Sequence, residues 1–144
     1  MRLRLHKNRR QRGVTLIELM LVVGLIAVLG AIAIPSYRNY AQRAQRSEGT
    51  SALLRLAANQ ERFYLQNNTY TNNVAALGFA TGQTETGLYT VNVNPANAAT
   101  FTATVVPVVG AGQAADARCQ SFGINSAGVR TSAPGPVDEC WAGR

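Results

Sequence analysis

The feature that most restricts the fold of this 144-residue chain is an apolar segment from Val14 to Ile34, whose only charged residue is Glu18. A helix of that length extends about 30 Å, which matches the hydrocarbon thickness of a bilayer. A soluble helix would carry a polar stripe at 3.6-residue spacing, whereas this segment is apolar on every face except near Thr15 and Glu18. The pattern therefore predicts a membrane-spanning helix over residues 14–34, with a core helix of a soluble protein as the weaker alternative.

Basic residues are concentrated before this segment. Residues 1–13 contain six of the 14 lysines and arginines and none of the seven acidic residues, so the formal charge of +7 belongs mainly to them. Because loops rich in lysine and arginine stay on the cytoplasmic side, the N-terminus is predicted to be cytoplasmic and residues 35–144 to lie outside. A cleaved secretory signal would have a shorter apolar core followed by a small-residue cleavage site, and Pro35 ends this segment without one.

Helical spacing resumes in amphipathic form after Pro35, which removes a backbone donor and is predicted to kink the helix. Two stripes of mainly apolar residues at helical spacing follow. The first comprises positions 37, 40, 41 and 44, and the second comprises positions 53, 56, 57, 60, 63 and 64. The later stripe is predicted to pack on the chain's own sheet, and the earlier one is left free to pack on neighbouring helices.

The residues after position 64 are predicted to form a long loop and a small antiparallel sheet. Residues 65–87 are rich in Asn, Thr, Gly and Ala and are expected to form a long loop. Segments 88–94 and 100–108 alternate as half-buried strands, and residues 119–125 with 129–131 indicate a final hairpin. The predicted inner faces hold Tyr89, Val91, Val93, Phe101, Ala103 and Val105. The fold class is therefore α+β, with a long helix packed on this sheet.

Cys119 and Cys140, the only two cysteines, both lie outside the membrane in this topology. An even number of cysteines in an oxidising compartment favours a disulfide, with two buried free thiols as the alternative. Two thiols are too few for a structural zinc site, and the single histidine, His6, lies before the membrane segment. We predict neither a metal nor a cofactor.

The N-terminal motif R-G-V-T-L-I-E-L-M, followed by an apolar helix and Pro35-Ser36-Tyr37, resembles the start of a type IV prepilin. The resemblance implies that a prepilin peptidase cuts between Gly13 and Val14 and then N-methylates Val14. Phenylalanine is the most frequent first mature residue in that family, and valine stands here. Pro35 corresponds to the proline that the family places early in its long helix.

Glu18 takes its expected function from this resemblance. A carboxylate in an apolar helix costs a few kcal/mol on insertion scales, less near an interface, so something must offset it. The local explanation is the positive end of the helix dipole, which contributes ~0.3–1 kcal/mol. The family explanation is that Glu18 of one subunit meets the new amino terminus of a neighbour, Val14, and thereby sets the axial register of a filament.

Later segments, among them ERFYLQNNTYT, LYTVNV, INSAGVRT and CW, resemble PilE-like minor pilins, a group that includes the ComP-type DNA-uptake receptor. The resemblance implies a subunit that joins other pilins at an inner-membrane assembly platform and reaches an extracellular pilus used for twitching motility, adhesion or DNA uptake. A DNA-binding pilin and a type II secretion pseudopilin are the alternatives. The cysteine pair matches the disulfide-bounded loop near the C-terminus of type IV pilins, which favours the pilus.

Catalysis finds little support in the sequence. No Ser/His/Asp set, Cys/His pair, phosphate loop or metal cluster can be assembled from residues 35–144, so the chain is predicted to be no enzyme. The predicted organisation is a cleaved basic leader over residues 1–13, a membrane and assembly helix over 14–34, and a periplasmic pilin domain over 35–144.

Overall fold

The computed structural model describes residues 13–142, apart from the side chain of Pro95. Most of the predicted leader, residues 1–12 with His6, lies outside the described residues. The chain divides after Tyr37 into two units. The elements in chain order are α1 (Leu16–Asn67), β1 (Tyr89–Ala96), β2 (Phe101–Pro107), a 3₁₀ turn (Gly112–Ala115), β3 (Cys119–Asn125), β4 (Arg130–Pro134) and α2 (Val137–Ala142).

The first unit is the apolar part of α1. Its large apolar side chains are exposed throughout, from Leu16 at 77% to Ile34 at 56%. The helix is long and apolar enough to cross a membrane, and none of its most apolar stretch is buried. A helix that is apolar on all sides requires lipid or other helices around it, as the sequence predicts. Pro35 lies inside α1, and the predicted kink there stays a prediction.

The second unit contains a four-stranded antiparallel sheet in the order β1-β2-β3-β4. Val91 lies opposite Val105, and Ala103 lies opposite Ile124, so apolar residues face each other across the central strands. All four strands occur near their predicted positions, and the α+β class with a long helix and a small antiparallel sheet is confirmed. The short helix α2 was not predicted from the sequence.

The core forms where the later part of α1 meets the inner face of the sheet. Leu53 and Leu56 are completely buried, which confirms the predicted helical stripe. The predicted inner faces of β1 and β2 are also confirmed, because all six residues are buried: Tyr89, Val91, Val93, Phe101, Ala103 and Val105. Full burial of a Val, Leu or Phe side chain stabilises the fold by roughly 1.5–3 kcal/mol.

Gly49 has a packing function in this core. A Cβ atom at this position would lie 3.2–3.3 Å from three atoms of the Tyr89 ring, closer than carbon atoms normally pack. A glycine in a helix interior costs about 1 kcal/mol relative to alanine. Here the absent side chain lets the Tyr89 ring lie directly against α1.

The long loop after α1 begins with two polar contacts. Asn68 adopts a left-handed conformation with φ 52°, and its N–H donates to the carbonyl of Tyr64, which ends the helix. Gln60 is fully buried, and its amide donates to the carbonyl of Thr71 (2.6 Å) and accepts from the N–H of Thr71 (3.0 Å). These bonds fix the first residues of the predicted loop against the helix.

Candidate assembly site

Glu18 and Thr15 form a reciprocal pair at the start of α1. Because the helix begins at Leu16, Thr15 is its N-cap residue and Glu18 its third helical residue. The N–H of Glu18 donates to the Thr15 hydroxyl (3.2 Å), and the N–H of Thr15 donates to Glu18 Oε2 (3.5 Å). This is a capping box, which satisfies two backbone donors that the first turn would otherwise leave unpaired.

The capping box gives Glu18 a local function that the sequence analysis missed. The Thr-x-x-Glu spacing is present in the sequence, but the helix dipole was the only local explanation given above for Glu18. Capping contributes about 1 kcal/mol, comparable to the dipole effect and less than the cost of a carboxylate in a bilayer centre. The capping bond uses Oε2 alone, and the Glu18 side chain is exposed. Its Oε1 atom thus has capacity for a second donor.

Gly13 and Val14 precede the helix in an exposed, non-helical stretch. A Cβ atom at Gly13 would meet no atom within 4 Å, so the described chain imposes no steric requirement for glycine there. Val14 is 71% exposed. The backbone between them is therefore accessible from outside the chain.

Cys119 and Cys140 form a disulfide, as the sequence predicts, with an S–S distance of 2.07 Å and both residues fully buried. Gly135 lies close to this bond. A Cβ atom at Gly135 would come within 2.5 Å of the Arg118 carbonyl oxygen and 3.1 Å of Cys140 Sγ. The N–H of Gly135 donates to that same carbonyl (2.7 Å). The chain around Gly135, between β4 and α2, therefore packs tightly against the residue that precedes β3.

A buried ion pair connects α1 to the segment before Cys119. Arg46 Nε donates to Asp116 Oδ2 (2.7 Å), and Arg46 Nη2 donates to Asp116 Oδ1 (2.9 Å). The two residues are 5% and 2% exposed. Arg46 is thus a buried charge on a part of α1 whose sequence is amphipathic.

The pKa values of this pair follow from its surroundings. Burial favours a higher pKa for Asp116, but hydrogen bonds from Arg46, Arg118 and Cys119 outweigh it and hold that pKa below its ordinary value. The hydrogen bond to Asp116 raises the pKa of Arg46. Both groups are therefore charged at neutral pH. Three buried polar atoms nearby have no protein partner within the described residues: Arg46 Nη1, the Tyr89 hydroxyl and Gln113 Oε1.

Glu139 and Trp141 make the remaining contacts of the C-terminal loop. Glu139 pairs with Arg118, whose Nε donates to Glu139 Oε1 (3.1 Å). Trp141 packs edge-on against Phe122 and donates its Nε1–H to the carbonyl of Thr131 (2.9 Å). Trp141 is thus a partly buried residue that packs against the core.

Comparisons with known proteins place these features in one class, the type IV pilins. The model for the prokaryotic N-terminal methylation motif matches residues 8–34. The model described as "Type IV minor pilin ComP, DNA uptake sequence receptor" matches residues 35–123, more than half of the chain. The chain therefore belongs to the type IV pilin family that this ComP model describes, and it is a pilin rather than an enzyme.

Three relatives illustrate the similarity. The type IV major pilin protein PilA of Myxococcus xanthus is 35% identical over 125 residues, which cover 83% of this chain and 55% of PilA. A fimbrial protein of Neisseria meningitidis serogroup B is 38% identical over 94 residues, 62% of this chain and 53% of the relative. PilA4, the type IV wide pilus major component of Thermus thermophilus, is 41% identical over 69 residues, 48% of this chain and 53% of PilA4. The chain thus spans about half the length of these relatives.

Proposed function

We propose that this chain is a structural subunit, and specifically a minor pilin, of a type IV pilus. The observation that carries the proposal is one carboxylate, Glu18, in the first turn of an otherwise uncharged apolar helix that begins just after the Gly13–Val14 bond. Membership of the pilin family and the description of the matching model as a minor pilin support it. Motility, adhesion and DNA uptake are the uses that such a filament would serve.

Processing would occur at the accessible Gly13–Val14 bond. The prepilin peptidase removes residues 1–13, including the basic residues, and methylates the new amino terminus of Val14. Glycine at position 13 is not required by its surroundings in the described chain, which is consistent with a requirement imposed by the peptidase. Cleavage also creates an ammonium group at Val14, where the unprocessed chain has a neutral peptide N–H.

Assembly would use this new charge. Glu18 keeps its capping bond through Oε2 and accepts from the Val14 ammonium of a neighbouring subunit through its other oxygen. An ion pair away from water is most favourable at one axial step between subunits, so it would fix register as well as attraction. Exposed apolar side chains of residues 14–34 would pack on other pilins.

The topology follows from the charge distribution. The basic residues of the leader hold the N-terminus in the cytoplasm, residues 14–34 span the inner membrane, and residues 35–144 lie in the periplasm. The inner-membrane assembly platform then extracts the mature subunit into an extracellular pilus. The disulfide is consistent with folding in an oxidising compartment.

Intact-mass analysis of sheared pili tests this function. We expect the subunit to begin at Val14 with one added methyl group. Gly13→Val should leave the leader attached and exclude the chain from pili, because a branched side chain replaces glycine at the cut. Val14→Phe, which introduces the family's most frequent residue, is the matched control and should be processed and assembled normally. Recovery of subunits that retain Met1 from assembled pili would contradict the proposal.

A second candidate function is DNA binding, favoured by the description of the matching family model as a DNA uptake sequence receptor. The charge distribution gives it less support. Within residues 13–142, three of the seven arginines are already in ion pairs, namely Arg46 with Asp116, Arg55 with Glu85 and Arg118 with Glu139. The remaining four, Arg38, Arg43, Arg62 and Arg130, are exposed.

Duplex binding by the full-length chain in detergent tests this candidate. If phosphates are bound, affinity should fall about tenfold or more between about 50 mM and 200 mM salt. Arg62→Gln should weaken binding, whereas Arg55→Gln should have a smaller effect because Arg55 is already paired with Glu85. Absence of binding at the lower salt concentration would eliminate the DNA-binding function.

A further inference from the structure

The side chain of Asp116, three residues before Cys119, accepts several hydrogen bonds. Besides the two bonds from Arg46, its carboxylate accepts from Gln113 Nε2 (3.1 Å) and from the backbone N–H groups of Arg118 (3.1 Å) and Cys119 (3.3 Å). Five donors converge on one buried carboxylate. Charge-assisted bonds of this kind are stronger than neutral ones and have fixed directions.

These bonds join parts of the chain that are distant in sequence. Arg46 lies on α1, and Asp116 is 70 residues further along, immediately before β3. Arg46 holds the carboxylate from the helix side, while the same carboxylate holds the N–H of Cys119. Because the N–H of Cys119 is held, the Arg46–Asp116 pair restricts the position of the Cys119 backbone and hence the region that its sulfur can reach.

We propose that Arg46 and Asp116 are positioning residues for disulfide formation, because they hold Cys119 in place before its sulfur bonds to Cys140. Cys140 lies on α2, whose placement depends on other contacts, including the bond from Trp141 to Thr131. Arg118 is the residue that touches both sides, because its N–H donates to Asp116 and its side chain pairs with Glu139, next to Cys140. The proposal concerns maturation of the exported domain and does not depend on the pilus function.

The chemistry is thiol–disulfide exchange with a small-molecule disulfide such as oxidised glutathione. The thiolate of one cysteine attacks the oxidant, releases one glutathione thiolate and forms a mixed disulfide. The second cysteine thiolate then attacks the protein sulfur of that mixed disulfide and releases the second glutathione. The protein loses two S–H protons and two electrons, and the oxidant is reduced to two thiols. Only the second step depends on the relative positions of the two cysteines.

The test is the redox equilibrium of the full-length chain in detergent micelles with defined mixtures of reduced and oxidised glutathione. Where half of the protein is oxidised, the squared concentration of reduced glutathione divided by the concentration of oxidised glutathione has the units of a concentration and gives the effective concentration of the two thiols. We expect Asp116→Asn to lower this concentration about tenfold or more, as loss of charge-assisted bonds implies. Arg46→Lys keeps the charge but loses the bidentate hydrogen bonding to Asp116, so it should lower the effective concentration by an intermediate amount.

Two control variants separate positioning from general stability. Glu139→Gln removes the pair with Arg118, next to both cysteines, and should change the effective concentration less than about twofold, because exposed pairs contribute little. Leu56→Ala weakens the core without removing any hydrogen bond of Asp116 and should also leave it unchanged. If Leu56→Ala lowers it as much as Asp116→Asn does, stability alone explains the effect and the proposal is wrong.

Hydrogen exchange of the fully reduced protein gives a second readout. We expect the N–H groups of Arg118 and Cys119, which donate to Asp116, to exchange at least about tenfold more slowly than in an unfolded chain. Asp116→Asn should remove most of that protection. Unfolded-like exchange of these two groups in the reduced wild-type chain would overturn the proposal, since the segment would then be ordered only after the disulfide forms.

Discussion

Glu18→Gln should exclude the subunit from assembled pili while its membrane insertion and processing remain normal. Glutamine fits the third position of a capping box as well as glutamate does, so the helix start is retained and only the charge is lost. Removing one partner of a poorly solvated ion pair costs ~3–5 kcal/mol, which corresponds to a decrease in incorporation of about a hundredfold or more. Immunoblotting of sheared pili against the membrane fraction measures this ratio.

Thr15→Ala is the complementary variant. It removes the hydroxyl that caps Glu18 but keeps the carboxylate, so the helix start loses about 0.5–2 kcal/mol while the proposed ion pair stays available. We expect pili to contain this variant at near-normal levels, and Thr15→Ser to be indistinguishable from wild type. The reverse outcome, with Glu18→Gln assembled and Thr15→Ala excluded, would show that Glu18 acts chiefly as a helix cap.

Much of the fold could be predicted because its signals are local. The apolar segment 14–34 is long enough to be recognised by length and composition alone, and α1 contains all of it except Val14 and Thr15. In β1 and β2, side chains alternate between two faces, so the buried residues could be identified directly from the two-residue period. The disulfide required only a count of cysteines and a compartment.

The features that were missed depend on distant partners. Arg46 looks like any exposed arginine of an amphipathic helix, and its partner Asp116 lies 70 residues away. No sequence period connects them, so only the folded chain shows that the pair is buried. Gly49 is a similar case, because the Tyr89 ring that contacts it comes from β1. The capping box differs, since its Thr-x-x-Glu signal was local and could have been recognised.

Asp116→Ala should be the most destabilising single substitution in the polar interior of the pilin domain. It leaves the Arg46 guanidinium buried without a counter-charge, which costs ~3–5 kcal/mol in the free energy of unfolding. Glu139→Ala breaks a solvent-exposed pair and should have little measurable effect. The double variant Arg46→Met with Asp116→Leu should recover only part of the loss, because it removes both buried charges but leaves Gln113 and the N–H groups of Arg118 and Cys119 without their acceptor. Denaturant unfolding of the oxidised full-length chain in micelles measures all three.

The same ion pair predicts how stability depends on pH. The folded state holds the pKa of Asp116 below its unfolded value, which is about 3.9, so the unfolded chain binds the proton more readily. The stabilisation is therefore fully present above the unfolded pKa and is lost as the pH falls from about 5 through the lower folded pKa. Asp116→Asn removes this contribution at every pH, so its free energy of unfolding should decrease less than that of wild type between neutral pH and about pH 2. Parallel curves for the two proteins would mean that Asp116 is not held in its charged form by Arg46.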